Sequence, residues 1–122
     1  MKQRSEVPWN IANTLEQLGG DLALFQEVMD IFLAEAPMHL AALRLAVERG
    51  QAETVEKTAH TLKGELGYLG MPGISQTASQ IEEMGRCNNV SGAASLLAQF
   101  EADMNGLLTA IRSAKAFAWK ST

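Results

Sequence analysis

His60 is the residue of this chain whose surroundings first suggest a functional site. It lies in a stretch that reads AHTLKGELGYLG from residue 59 to residue 70. If the stretch is helical, at about 100° per residue, His60 projects from one side with two lysines and two glycines beside it. These neighbours are Lys57, Lys63, Gly64 and Gly67. The pattern predicts a solvent-facing imidazole between two positive charges.

The two glycines are unusual for a helix. Glycine inside a helix is roughly 1 kcal/mol less favourable than alanine. Gly64 and Gly67 fall on the predicted exposed face, where core packing does not explain them. We interpret both glycines as leaving space for a partner protein, because a bulky side chain there would hold that protein away from His60.

A buried stripe on the opposite side of the same helix is what positions His60. Val55, Leu62, Leu66 and Leu69 recur at helical spacing and predict a helix over residues 51–69. The GMPG sequence at residues 70–73 is a stop-and-start signal that leads into another helix. The two helices should therefore form a hairpin.

The predicted hairpin also brings an acceptor toward the imidazole. A nucleophilic ring nitrogen needs the other ring nitrogen to be held by an acceptor, which fixes the tautomer. If the turn pivots near Met71, the position that mirrors His60 lies among Ser79, Glu82 and Glu83, with Glu82 nearest to it. We expect the ring-orienting group to be one of these three.

These residues carry a family resemblance. Residues 59–64 (AHTLKG), followed by LG at 69–70, resemble the H-x-x-K-G motif of histidine-containing phosphotransfer (HPt) domains. The similarity extends from LEQLGGD at 15–21 to IEEMGR at 81–86. It implies that His60 carries a phosphoryl group, that Lys63 supports its negative charge, and that Gly64 leaves room for the partner.

The resemblance also implies partners. The chain would exchange phosphoryl groups with aspartyl-phosphate receiver domains of response regulators and hybrid histidine kinases in a multistep relay. The receiver would supply Mg²⁺ and dock around His60, with Lys57, Gly67 and Tyr68 as further contacts. We expect no cofactor on the chain itself. It has no G-x-x-x-x-G-K-[ST] loop, so we expect a phosphocarrier without an ATP site rather than an enzyme.

Two positions depart from the family pattern. Members often have a small residue, commonly serine, where this chain has Glu65, and a small or polar one where it has Tyr68. Glu65 projects well away from the direction of His60. We therefore expect both residues to affect the choice of partner rather than the chemistry.

Other functions fit parts of the pattern. A kinase dimerisation domain usually has an acidic residue after its histidine, where this chain has Thr61. A metal site in a bundle would need Glu-x-x-His pairs from several helices, and Glu56 with His60 supplies too few ligands, so we predict no metal. His39 is interpreted as a surface or helix-start residue. A docking or adaptor module that binds receivers without phosphotransfer remains the alternative.

Composition narrows the class of protein. The chain has 122 residues, 47% of them hydrophobic and 20% charged, as in ordinary globular domains. Its net charge of −4 argues against nucleic-acid binding. No apolar run approaches the roughly 20 residues that span a bilayer, and residues 1–6 do not begin a signal peptide. Cys87 is a single cysteine, which fits a cytoplasmic location. We expect a monomer.

The fold class predicted is all-α: an up-and-down antiparallel four-helix bundle with a short extra N-terminal helix. Residues 1–9 are expected to be a flexible lead-in and residues 10–118 a single domain. Asn10 should cap the short helix, which ends at GG in positions 19–20, and Asp21 and Ser91 should cap the second and last helices.

Apolar periodicity predicts the buried stripes. In the second helix, Pro37 should cause a kink or a new start. The stripe before it comprises Leu24, Phe25, Val28, Phe32 and Ala36, and the stripe after it Met38, Ala41, Ala42 and Leu45. The last two helices should bury Ile74, Ala78, Ile81 and Gly85 or Met84, then Leu97, Phe100, Met104, Leu107, Leu108, Ile111 and Ala114.

Overall fold

Five helices make up the fold in the computed structural model, which describes residues 11–115. They are α1 (Ile11–Gln17), α2 (Leu22–Glu48), α3 (Ala52–Tyr68), α4 (Pro72–Arg86) and α5 (Val90–Ala114). The predicted lead-in, the Asn10 cap and the end of the predicted domain lie outside the described residues. The all-α prediction is confirmed, and no strand occurs between residues 11 and 115.

The four long helices form an up-and-down bundle. Short turns at residues 49–51, 69–71 and 87–89 join them, so neighbours in sequence run antiparallel. α3 packs between α2 and α4, and α5 closes the ring by packing against α4 and α2. α1 lies beside α2 as the predicted extra helix. Within residues 11–115, no helix is long and apolar enough to cross a membrane.

The stripe of α3 is buried as predicted. Val55, Leu62, Leu66 and Leu69 all lie in the core, together with Ala59. In α4 the core residues are Ile74, Ala78, Ile81 and Gly85, whereas Met84 is partly buried. The α5 stripe from Leu97 to Ile111 is also buried, although Ala114 is only partly so.

α2 differs from its prediction after the proline. It continues as one helix through Pro37, so of the two predicted outcomes, a kink or a new start, the new start is wrong. The buried residues run Phe25, Met29, Phe32, Ala36, Leu40, Leu43 and Ala46, whereas Met38, Ala41, Ala42 and Leu45 are exposed. The prediction restarted the stripe at the proline, but an unbroken helix keeps its phase across it. Leu24, also predicted to be buried, is exposed.

Helix caps agree with the sequence in one case and differ in another. The Asp21 carboxylate accepts a hydrogen bond from the Leu24 N–H at 3.0 Å, as predicted. The cap of α5 is Asn89, which accepts from the Gly92 N–H at 3.0 Å. The assignment to Ser91 is wrong because α5 begins at Val90, which places Ser91 inside the first turn.

Candidate functional site

His60 lies on the outward side of α3, with its side chain 67% exposed. Its Nδ1 atom is 2.8 Å from Oε2 of Glu82 on α4. Of the three predicted ring-orienting candidates, Glu82 makes this contact, and Ser79 and Glu83 do not. Glu83 is instead paired with Arg86 on its own helix, and Ser79 lines a neighbouring cleft.

The contact with Glu82 indicates which imidazole nitrogen carries the proton. An ionised carboxylate can only accept hydrogen bonds, so the proton of the neutral ring is assigned to Nδ1. Nε2 then keeps its lone pair, on the side of the ring that points away from Glu82. His60 is therefore held in one tautomer with its basic nitrogen available to a partner.

Glu82 is the buried centre of the site. Its side chain is only 7% exposed, and its second oxygen, Oε1, lies 2.6 Å from Nζ of Lys63. The hydrogen bond from Lys63 is the main reason that the pKa of Glu82 is lowered; the bond from His60 acts in the same direction, and burial opposes both. The carboxylate thus stays ionised, as the tautomer of His60 requires.

Arg86 adds a second cationic group at this carboxylate, after Lys63. Its Nη2 atom is 3.5 Å from Oε2 of Glu82, and its Nε atom is 3.6 Å from Oε2 of Glu56 on α3. The sequence did not predict a contact between Arg86 and Glu82. Its contacts join α4 to α3 one turn beyond Glu82, next to the His60 pair.

A close approach between the two helices makes the His60–Glu82 contact possible. Gly85 is buried against α3, where an added Cβ would lie 2.6 Å from the backbone N of Glu56 and 2.9 Å from the carbonyl oxygen of Ala52. Only glycine allows two backbones to come this near. The sequence suggested burial at position 85, but it gave no sign of backbone contact.

The far end of the hairpin is held by α1. The hydroxyl of Thr14 donates a buried hydrogen bond of 2.8 Å to the carbonyl of Leu69, and the amide of Asn13 donates one of 3.3 Å to the carbonyl of Gly70. Gly70 has a φ of +75°, which favours glycine, and it turns the chain out of α3. The sequence gave no signal for this contact, because it joins residues more than 50 positions apart.

A cleft of about 510 Å³ opens between α1, α3 and α4 beside Lys63. Polar and apolar residues both line it: Asn13, Gln17, Lys63, Gly67, Gly70, Met71, Pro72, Ser75, Gln76 and Ser79. Gly67 therefore lies at the boundary between the His60 face and the cleft.

The other predicted site residues are spread over the same side of α3. Gly64 is exposed, and an added Cβ would meet nothing within 4 Å. Lys57 is exposed and paired with Glu53 at 3.2 Å. Tyr68 is 57% exposed and lines an apolar groove with Val28 and Ile31 on the α2 side. It is therefore on the flank of α3 opposite to the cleft.

A second cluster of charged side chains lies on that α2 flank. Glu35, His39 and Glu65 place their ligand atoms within 4.8 Å of one another. His39 was predicted to be a surface or helix-start residue, and the helix start is wrong: it lies inside α2, half-buried, with Nδ1 3.3 Å from Oε2 of Glu65. Glu65 points away from His60, as predicted.

Comparison with known proteins gives the same family as the motif. The family model described as the Hpt domain matches residues 27–114. The fold is similar to that of histidine-containing phosphotransfer protein B (HptB) from Pseudomonas aeruginosa PAO1, with a TM-score of 0.80 and 18% identity over 88% of this chain and 94% of that chain. It is equally similar to the HPT domain of the Hpt sensor hybrid histidine kinase from Shewanella, with a TM-score of 0.80 and 18% identity over 88% and 93%.

No curated protein sequence matches the chain. At 18% identity, the two solved structures establish the fold only. The family model covers most of the chain, from the first turns of α2 to the end of α5, and it includes the hairpin of α3 and α4 that carries His60. The chain belongs to the Hpt domain family, whose members carry phosphoryl groups in two-component relays.

Proposed function

We propose that His60 is the residue that carries the phosphoryl group, through its Nε2 atom. The observation that supports this most directly is the pairing of Nδ1 with Glu82, which leaves Nε2 basic and outward on a mostly exposed side chain. In the transfer, the bond between phosphorus and the aspartyl oxygen of a receiver breaks as the Nε2–phosphorus bond forms. The proton stays on Nδ1.

Glu82 has a defined role in this step. The ring gains positive charge as Nε2 bonds to phosphorus, and the ionised carboxylate 2.8 Å from Nδ1 offsets that charge. Glu82 is held in its ionised form by Lys63, so it is ready before the partner arrives. It acts as a positioning residue that does not touch the phosphoryl group.

Lys63 is one turn beyond His60 and only half-buried, and its ammonium is bound to Glu82. We propose that it turns toward the phosphoryl oxygens once these are present, because they are a stronger acceptor than the carboxylate it shares with His60. Gly64 and Gly67 have no side chains, so they do not obstruct the approach of a partner to Nε2. The Mg²⁺ that offsets phosphate charge would be held by the receiver.

The partner in this proposal is a receiver domain of a response regulator or of a hybrid histidine kinase. It would cover the face of Gly64, Gly67 and Lys57, with Tyr68 at one edge. The chain would act as a monomeric cytoplasmic carrier without an ATP site. Sedimentation at micromolar concentration should therefore give a monomer, and incubation with ATP alone should leave the chain unlabelled.

Intact-mass measurement tests the assignment of His60. After mixing with a phosphorylated receiver and Mg²⁺, we expect one phosphoryl group on the wild type and none on His60→Gln. The adduct should be lost in acid, as a phosphoramidate is. The melting temperature of His60→Gln should stay within a few degrees of wild type, because the residue it replaces is exposed.

Thr109→Gln, an exposed position on α5, is the matched control and should be labelled like the wild type. Labelling of His60→Gln would place the acceptor elsewhere. If several receivers bind the wild type without labelling it, the alternative of a docking module without phosphotransfer is correct.

A further inference from the structure

The cluster formed by Glu35, His39 and Glu65 is separate from the phosphotransfer site. Glu35 and His39 are one turn apart on α2, and Glu65 faces them from α3. Their ligand atoms lie within 4.8 Å of one another. Glu65 projects from the flank of α3 that faces α2, whereas Glu82 and Lys63 meet on the α4 side.

Two of the atoms in this cluster are buried without a hydrogen-bond partner among residues 11–115. They are Nδ1 of His39 and Oε1 of Glu65. Nδ1 lies at an ion-pair distance of 3.3 Å from the other Glu65 oxygen, without the alignment of a hydrogen bond. Buried polar atoms that lack a partner cost stability, so they point to a ligand that satisfies both.

The chemistry of the donors indicates which ligand fits. Two carboxylates and a neutral imidazole carry a charge of about −2, which a divalent cation neutralises. Donors at about 2.0 to 2.1 Å from a tetrahedral metal are about 3.3 Å apart, which matches the 3.3 Å between Nδ1 of His39 and Oε2 of Glu65. Oε1, the oxygen without a partner, belongs to the same carboxylate. A set of one nitrogen and two oxygens suits Zn²⁺ better than Ca²⁺ or Mg²⁺, which prefer oxygen alone.

We propose that Glu35, His39 and Glu65 bind a divalent transition-metal cation, best Zn²⁺, which bridges α2 and α3. The exposed Glu35 closes onto the metal by rotating its side chain, and the fourth position is left to water. This explains why the chain has Glu65 where the resemblance to HPt domains leads one to expect a small residue. The inference does not depend on phosphotransfer at His60.

Zn²⁺ titration tests the proposal on the full chain prepared without a histidine tag and stripped with a chelator. We expect binding of one equivalent by calorimetry. We also expect the melting temperature to rise by about 5 °C or more at a Zn²⁺ concentration near 100 times the dissociation constant. Addition of EDTA should reverse the shift.

Variants establish where the ion binds. His39→Gln and Glu65→Gln should each weaken Zn²⁺ affinity by more than about 100-fold, beyond what outer-shell changes produce. Glu53→Gln, an exposed carboxylate on α3, should bind like the wild type. Circular dichroism without metal checks that each variant is folded. Absence of binding by the wild type, or equal binding by His39→Gln and Glu65→Gln, would overturn the proposal.

Discussion

Glu82 is a single carboxylate that binds both an imidazole and an ammonium group. One oxygen holds Nδ1 of His60 and the other holds Nζ of Lys63, while the side chain itself is nearly excluded from solvent. A buried carboxylate in this position must remain ionised to be useful, and the lysine provides for that. In the proposed transfer, the tautomer of His60 is therefore set by a residue on another helix.

Glu82→Gln should slow phosphotransfer without preventing it. The amide can still accept a hydrogen bond from Nδ1, but it cannot offset the positive charge that develops on the ring. Hydrogen bonds to charged groups contribute about 1.5 to 3 kcal/mol, which corresponds to roughly a 10- to 100-fold lower rate. Rapid-quench measurement of phosphate loss from a labelled receiver gives that rate.

Glu83→Gln is the control, because Glu83 is next in sequence and bound to Arg86 instead of His60. Its transfer rate should match the wild type. An unchanged rate in Glu82→Gln would mean that the carboxylate does not contribute to the transfer step.

The same carboxylate makes stability depend on pH. The pKa of Glu82 is lowered from 4.5 in the folded chain, so its ion pair stabilises the fold fully above that value and is lost as the pH falls through the folded pKa. The urea midpoint of wild type should therefore exceed that of Glu82→Gln at about pH 6, and the difference should shrink toward about pH 3. A difference that stays constant over this range would contradict the assignment.

The sequence predicted this pairing only in outline. Counting outward from the turn at Met71 gave three candidates, with Glu82 nearest to the mirror position. It could not choose among them, because the rotation of α4 about its axis depends on how closely it packs on α3. That distance is decided at Gly85, whose backbone contact is with residues about 30 positions away.

At the scale of the helices, glycine appears in two opposite environments. Gly64 on α3 faces open space, and Gly85 on α4 lies against the backbone of α3. A methyl group at position 64 would therefore leave the isolated fold unchanged, whereas one at position 85 would force α3 and α4 to move. The same substitution can separate a docking role from a packing role.

Gly64→Ala should raise stability by about 0.5 to 1 kcal/mol, because alanine is the better helix former, and should reduce phosphotransfer by obstructing the partner. Gly85→Ala should lower stability by about 1 to 3 kcal/mol, because α3 and α4 must move apart. Denaturant unfolding and the receiver assay measure the two effects. A Gly64→Ala variant that transfers at the wild-type rate would show that clearance at this position is not needed.

The helices themselves were predictable where periodicity ran without interruption. The stripes of α3 and α5 were confirmed because each repeats at intervals of three or four residues along an unbroken helix. The buried stripe predicted for α2 was wrong beyond Pro37, because the prediction started the helical pattern anew at the proline. In the structure Ala36 and Leu40 continue one buried face across it.

At the scale of the whole molecule, the bundle followed from short turns between apolar helices. The position of α1 could not be predicted in the same way, because it depends on Thr14 and Asn13, which bind the carbonyls at the end of α3. Single polar contacts between distant residues leave no periodic trace in a sequence. The Arg44–Glu101 pair, in which Nε and Oε2 are 2.8 Å apart and which joins α2 to α5, was unpredictable for the same reason.

The hairpin of α3 and α4 has a consequence for folding. His60 and Glu82 are 22 positions apart, whereas Thr14 and Leu69 are 55 apart. The entropic free-energy cost of closing a chain segment grows by about 0.6 kcal/mol for each doubling of its length. Closing the segment between His60 and Glu82 therefore costs roughly 0.8 kcal/mol less than closing the segment between Thr14 and Leu69. The residues of the proposed phosphotransfer site are thus brought together at lower entropic cost than the contact that anchors α1.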